Sequence, residues 1–177
     1  MTIRRLTHNC EDIVREQTIP LQKKSPMKKY TLPFIQSKSI LPFVKLTSPE
    51  GKEIYALVDS GSESTLINKS FKKDYPGIIQ SSTVIGKTKM TGFAGEKEMV
   101  LLQAEAKVPM LTDKGEASAI EFKGYVDDLT TLSSHVSKIY GVEWSFSILI
   151  GSDTLRSLKA KIDYSNNALV LFVSSKR

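Results

Sequence analysis

A chain of 177 residues has room for one ordinary domain and a tail. Its hydrophobic content of 40% and mean hydropathy of −0.17 are those of a soluble globular protein, and no apolar run reaches the length of a membrane span. The single cysteine, Cys10, excludes an intramolecular disulfide framework, and with only His8 and His135 beside it no ordinary zinc site can be assembled, so neither metal nor cofactor is expected.

The net charge of +6 is unevenly placed: residues 1–45 hold nine Lys/Arg against three acids, whereas residues 46–177 hold sixteen of each. A basic arm can meet nucleic acid or an acidic surface. This one lacks the interleaved aromatics of a single-strand platform, so a solvated leader is favoured over a nucleic-acid partner. The front also lacks the apolar core of a signal peptide, and the lone thiol fits a reducing compartment. A protein that is not secreted is expected.

Residues 4–17 allow a short amphipathic helix with Leu6, Cys10, Ile13 and Val14 on one side. Residues 18–31, with Pro20, Pro26 and four lysines, read as a linker, and the folded body begins near Leu32. The expected division is a basic, partly disordered leader or linker over 1–39 and a folded domain over 40–177.

Within that domain, Leu41 to Leu46 and Glu53 to Val58 alternate as strands around the turn residues Ser48-Pro49-Glu50-Gly51-Lys52. This hairpin delivers Asp59 at its far end, on the turn Asp59-Ser60-Gly61. Ser64 to Ile67 reads as a short strand, with Asn68 capping a helical turn through Phe71 and Lys73. A second hairpin runs from Val84 to Met90 and from Met99 to Ala104, with a glycine-bounded tip at Gly92-Phe93-Ala94-Gly95. Two further strands, Ala104 to Met110 and Ala119 to Val126, flank Thr112 to Glu116. A short helix over Leu129 to Tyr140 follows, with His135 at the surface. Trp144 and Phe146 point to the core. Phe146 to Ile150 is a buried strand ending at Gly151, and the next helix is capped by Ser152 or Asp153 with Leu155 and Leu158 inward. Ala160 to Phe172 closes the chain as strand, Asn-Asn turn and strand. The expected fold is mostly β with one or two short helices.

Taken alone, Asp-Ser-Gly is a common loop tripeptide. The order in which it occurs is more specific. An apolar strand, Leu57-Val58-Asp59-Ser60-Gly61-Ser62, a glycine-tipped hairpin, and then Ile148-Leu149-Ile150-Gly151-Ser152-Asp153-Thr154-Leu155 resemble the retropepsin-like aspartic proteases of retroviruses, LTR retrotransposons and plant pararetroviruses, and of a ubiquitin-receptor relative. The resemblance covers roughly residues 40–172. It implies a closed β-barrel or sandwich with a flap hairpin, and an endopeptidase that processes a retroelement or viral polyprotein in the cytoplasm or in an assembling particle. Two departures stand out. The stretch between flap and second motif is longer than in compact viral enzymes, and Gly151 is followed by serine where many members carry arginine, which removes any charge lock to Glu63.

Peptide hydrolysis by carboxylates needs two of them sharing one proton across an activated water. The sequence holds one Asp-[Ser/Thr]-Gly, since Asp153-Thr154 is followed by leucine. The resemblance therefore implies a homodimer with Asp59 from each copy on a two-fold axis, acting on a polypeptide in extended conformation at mildly acidic to neutral pH. It makes Asp59 catalytic, gives Ser60 and Gly61 to the loop, Gly92, Phe93, Ala94 and Gly95 to the flap tip, and Ile150 and Gly151 to the scaffold below. Glu63 falls where the family often places an acid that receives substrate amides, with a solvated surface acid as the equal alternative. The alternatives are a catalytically inactive dimerisation or peptide-binding module, and a cellular relative of the ubiquitin-receptor type.

Overall fold

The computed structural model of the chain describes residues 27–35, 41–92 and 95–174. The helix expected over 4–17 and the tip residues Phe93 and Ala94 lie outside the described residues. The architecture is mostly β, in two sheets. The smaller has three strands in the order β1 (Met27–Pro33), β10 (Ala168–Ser174), β9 (Lys161–Asp163). The larger has seven, ordered β2 (Phe43–Thr47), β3 (Glu53–Val58), β8 (Ile148–Ile150), β4 (Leu66–Asn68), β7 (Ala117–Asp127), β6 (Gly95–Leu111), β5 (Ile79–Gly92). The helices among the described residues are α1 (Phe71–Asp74), α2 (Thr130–Tyr140) and α3 (Ser152–Ser157), each where the sequence placed a helix or helical turn.

The strands that matter most are β3, β8 and β4. The first and last are consecutive in the sheet-forming chain, yet β8 lies between them, parallel to β3 and antiparallel to β4. The connection 59–65 must therefore cross the end of β8. Sandwiched on both sides and both faces, β8 is wholly apolar, as buried parallel strands are.

Two apolar clusters use opposite faces of this trio. Ile54, Ala56, Val58, Ile67, Ile148 and Ile150 join Tyr30, Leu32, Leu169 and Leu171 between the sheets. Leu57 and Leu149, the odd members of the same strands, join Phe43, Leu129, Val136 and Phe146 on the outer face, under α2. Strand alternation supplies this division, and each such side chain contributes about 1.5–3 kcal/mol when fully buried. Phe146 is core as expected, and Trp144 is half-buried, stacked on Tyr55 at 4.5 Å and edge-on to Phe43 at 4.7 Å.

Several boundaries differ from the sequence reading. β1 brings residues 27–33, read as leader, into antiparallel pairing with β10, because Tyr30 and Leu32 alternate inward beneath the lysines. Thr65 is not in β4, whereas Asn68 is: it pairs with Asp127, so it stays in the ladder and Ser70 begins the helical turn. The strand expected at 104–110 continues the hairpin strand as one β6 of 17 residues. Pro109 is accommodated because β5 pairs no further than Ala106, leaving that edge open. Gly151, not Ser152 or Asp153, is the N-cap of α3, for a reason found in the site. No helix among the described residues is long and apolar enough to cross a membrane.

Candidate active site

Asp59 leaves β3 still in register with β8: its N–H donates to the Ile150 carbonyl at 3.0 Å. The chain then turns sharply. Asp59 Oδ1 accepts the Gly61 N–H at 2.9 Å, and the Asp59 carbonyl accepts the Ser62 N–H at 3.2 Å. A Cβ on Gly61 would lie 3.3 Å from Oδ1, tighter than ordinary contact, so a side chain there would require the carboxylate to give by a few tenths of an ångström. The carboxylate is partly buried while Ser60 and Gly61 are exposed.

The far half of the loop is fastened to α3. The Ser152 N–H donates to the Ser62 carbonyl at 2.8 Å, and the Asp153 N–H to the Glu63 carbonyl at 3.2 Å. The exposed Glu63 thus meets the helix through its backbone. Beneath it is a buried polar knot. The Thr65 hydroxyl pairs with Asp153 Oδ1 at 2.7 Å and with Thr154 Oγ1 at 2.7 Å, and accepts the Gly151 N–H at 3.0 Å. Asp153 Oδ2 accepts the Thr65 N–H at 3.1 Å. Thr65 and Thr154 are buried, and this knot satisfies their hydroxyls.

Gly151 is where the loop rests. A Cβ there would come within 2.4 Å of the Ser64 backbone, so no side chain fits. Its extended backbone, φ −87° and ψ 177°, makes it the residue that turns β8 into α3, while Asp153, which might have capped that helix, is engaged across the sheet. The structure thus gathers Asp59, Ser60, Gly61, Glu63, Ile150 and Gly151 into one assembly. Gly92 and Gly95 pair with each other at the end of the β5–β6 ribbon, whereas the 59–65 loop bonds to β8, to α3, to β7 through the Tyr125 N–H on the Thr65 carbonyl, and to itself. Sequence reasoning missed Thr65, Asp153 and Thr154 as supports, because their partners are nearly ninety positions away.

Two hollows border this region. One of about 370 Å³ runs along Ser60, Ser152, Arg156, Lys159 and Ile162. Another of about 650 Å³ between β6, β7 and α3 reaches Asp153 and Thr154 but not Asp59. Lys107 pairs with Glu121 at 3.3 Å and Lys123 with Glu105 at 2.7 Å along its wall. Among the described residues no cluster of three or more His, Cys, Asp or Glu could hold a metal ion. A carboxylate on a braced turn, half open to solvent, can accept a proton from water or hydrogen-bond a carbonyl.

No family model matches the sequence, and no curated protein matches it. Solved structures of similar shape include two retropepsin-like domains. The retroviral protease-like domain of Ddi1 from Leishmania major is 18% identical with a TM-score of 0.42, covering 78% of this chain and 95% of that one. A retropepsin-like aspartic protease from Rickettsia conorii is 12% identical with a TM-score of 0.41, covering 86% of this chain and 96% of that one. Likenesses this distant carry no weight for the site, which stands on its own geometry.

Proposed function

We propose that the chain is a retropepsin-like aspartic endopeptidase that works as a homodimer. The observation that carries the reading is the braced Asp59 turn, with its carboxylate ordered by the Gly61 N–H and its loop seated on a glycine that tolerates no side chain. One such loop per chain supplies half of a two-carboxylate site, and a second copy supplies the other half.

In the assembled pair, one Asp59 carboxylate takes a proton from water as the water oxygen attacks the peptide carbonyl carbon. The other, protonated, donates to the carbonyl oxygen. Return of a proton to the amide nitrogen lets the C–N bond break, giving an acid and an amine and restoring the shared proton. The substrate is a polypeptide in extended conformation. The run Leu149-Ile150-Gly151-Ser152-Asp153 resembles retroelement members of the family most, which favours a retroelement polyprotein over a cellular substrate.

The test is cleavage of an unstructured protein at about pH 5–7, the range suited to a shared proton, with and without pepstatin, comparing wild type with Asp59→Asn. Cleavage by wild type that pepstatin blocks and the variant lacks is the expected result. No cleavage at concentrations where sedimentation shows a dimer would replace the enzyme with a peptide-binding or dimerisation module.

A further inference from the structure

Strand alternation fixes the face to which Asp59 belongs. Ile54, Ala56 and Val58 face the core between the sheets, whereas Tyr55 and Leu57 face the outer cluster. Asp59, next in that alternation and still bonded to β8, continues the outer face. Leu57 sits beside Leu149 across β3–β8, and Leu149 beside Leu66 across β8–β4. An apolar floor therefore runs up to the carboxylate. That floor is covered: Leu57 is 6% and Leu149 5% exposed, under Leu129, Leu132, Val136 and Trp144.

The covering segment is built as a unit. The Ser133 hydroxyl accepts the Phe146 N–H at 2.9 Å, and the Ser137 hydroxyl reaches the carbonyls of Ser133 and Trp144 at 2.8 and 3.1 Å. The Phe146 and Trp144 bonds tie α2 to the return segment that follows it. Gly141, at φ +63°, ends the helix and reverses the chain. The segment is moored at its two ends. At one, Lys69 pairs with Asp128 at 2.6 Å and the Lys69 N–H donates to the Asp127 carbonyl. At the other, the Ser147 N–H donates to the Tyr55 carbonyl at 2.9 Å. Between the moorings it meets the floor through apolar side chains.

We infer that residues 129–146 form a hinged cover over the apolar floor beside Asp59, closed in the resting chain and lifted as a unit. Its internal bonds survive lifting, and the contacts given up include those with Leu57, Leu149 and Phe43 and the stack of Trp144 on Tyr55. The closed cover restricts approach to Asp59 from that face. This consequence rests on Asp59 being the reacting group, while the opening itself does not.

The test uses native-state hydrogen exchange on the full wild-type chain, together with acrylamide quenching of Trp144, its only tryptophan. The amides of α2 should exchange together, at least about 100-fold faster than those of β3 and β8, as a unit that opens below global unfolding does. Val136→Ala, which shaves the contact and leaves the ladder intact, should raise that opening about tenfold and make Trp144 more accessible to quencher. If the α2 amides exchange only as fast as those of β3 and β8, the cover is a fixed wall and the inference is overturned, whether or not the protein cleaves peptides. If α2 opens but Asp59→Asn leaves cleavage unchanged, the cover stands and the reading of Asp59 falls.

Discussion

At Thr65 a hydroxyl with one proton and two lone pairs meets a carboxylate, a second hydroxyl and a backbone N–H, which exhausts its capacity. Thr65→Val keeps the shape and takes the Thr65 oxygen away from the Gly151 N–H and the buried Thr154 hydroxyl, a loss of about 1–3 kcal/mol to be read from the urea midpoint. Gly151→Ala acts differently. Its methyl meets backbone rather than a yielding side chain, so the loop must shift, and a cost of about 1–3 kcal/mol or more is expected, along with loss of cleavage. Asp59, Gly61 and Gly151 were legible as candidates because each sits in a short local string: apolar run, acid, glycine. The Thr65–Asp153 knot was not legible. Asp153 follows a strand and precedes a helix, the ordinary place of an N-cap, and nothing local distinguishes a cap from a carboxylate claimed by a residue 88 positions away.

Among the elements, the turn between β9 and β10 is organised by one acid. Asp163 accepts from the Ser165 hydroxyl at 2.6 Å, from Lys161 at 2.9 Å, and from the Asn166 backbone and side chain at 3.2 Å each. These bonds, the Ser165 one foremost, hold its carboxyl well below the usual carboxylate range. Asp128, bonded first by Lys69 and then by Thr130, is held low in the same way. A carboxyl that is more acidic folded than unfolded adds stability above its unfolded pKa, about 4, and loses it as pH falls below that value. The wild-type urea midpoint should therefore drop on going from about pH 6 to pH 3, and Asp163→Asn should flatten part of that drop. An unchanged pH dependence in the variant would remove Asp163 from the account. Strand alternation and the Asn-Asn turn made these elements readable in sequence, but β1 was hidden because its two inward residues, Tyr30 and Leu32, lie among lysines and prolines. The end of β4 was misread because Asn68, a good cap by type, is held in the ladder by Asp127.

For the whole molecule, the decisive question is how many chains build one site. A monomer contributes a single Asp-Ser-Gly loop, with Ser60 exposed beside the hollow at Arg156 and Ile162. If two loops must meet, an Asp59→Asn chain that folds normally will still pair with wild type and spoil the shared site. Mixing equal amounts of the two, after enough time for exchange, should lower the activity of a fixed amount of wild type to about half, because half of its chains now sit in mixed pairs. Excess variant should suppress it further. Activity per chain should also fall with dilution, as pairs dissociate by mass action. A variant chain that leaves wild-type activity untouched, while sedimentation shows mixed pairs, would assign the full reaction to a single chain. The dimer would then be a matter of stability alone, and a second acid would have to be sought within the same chain.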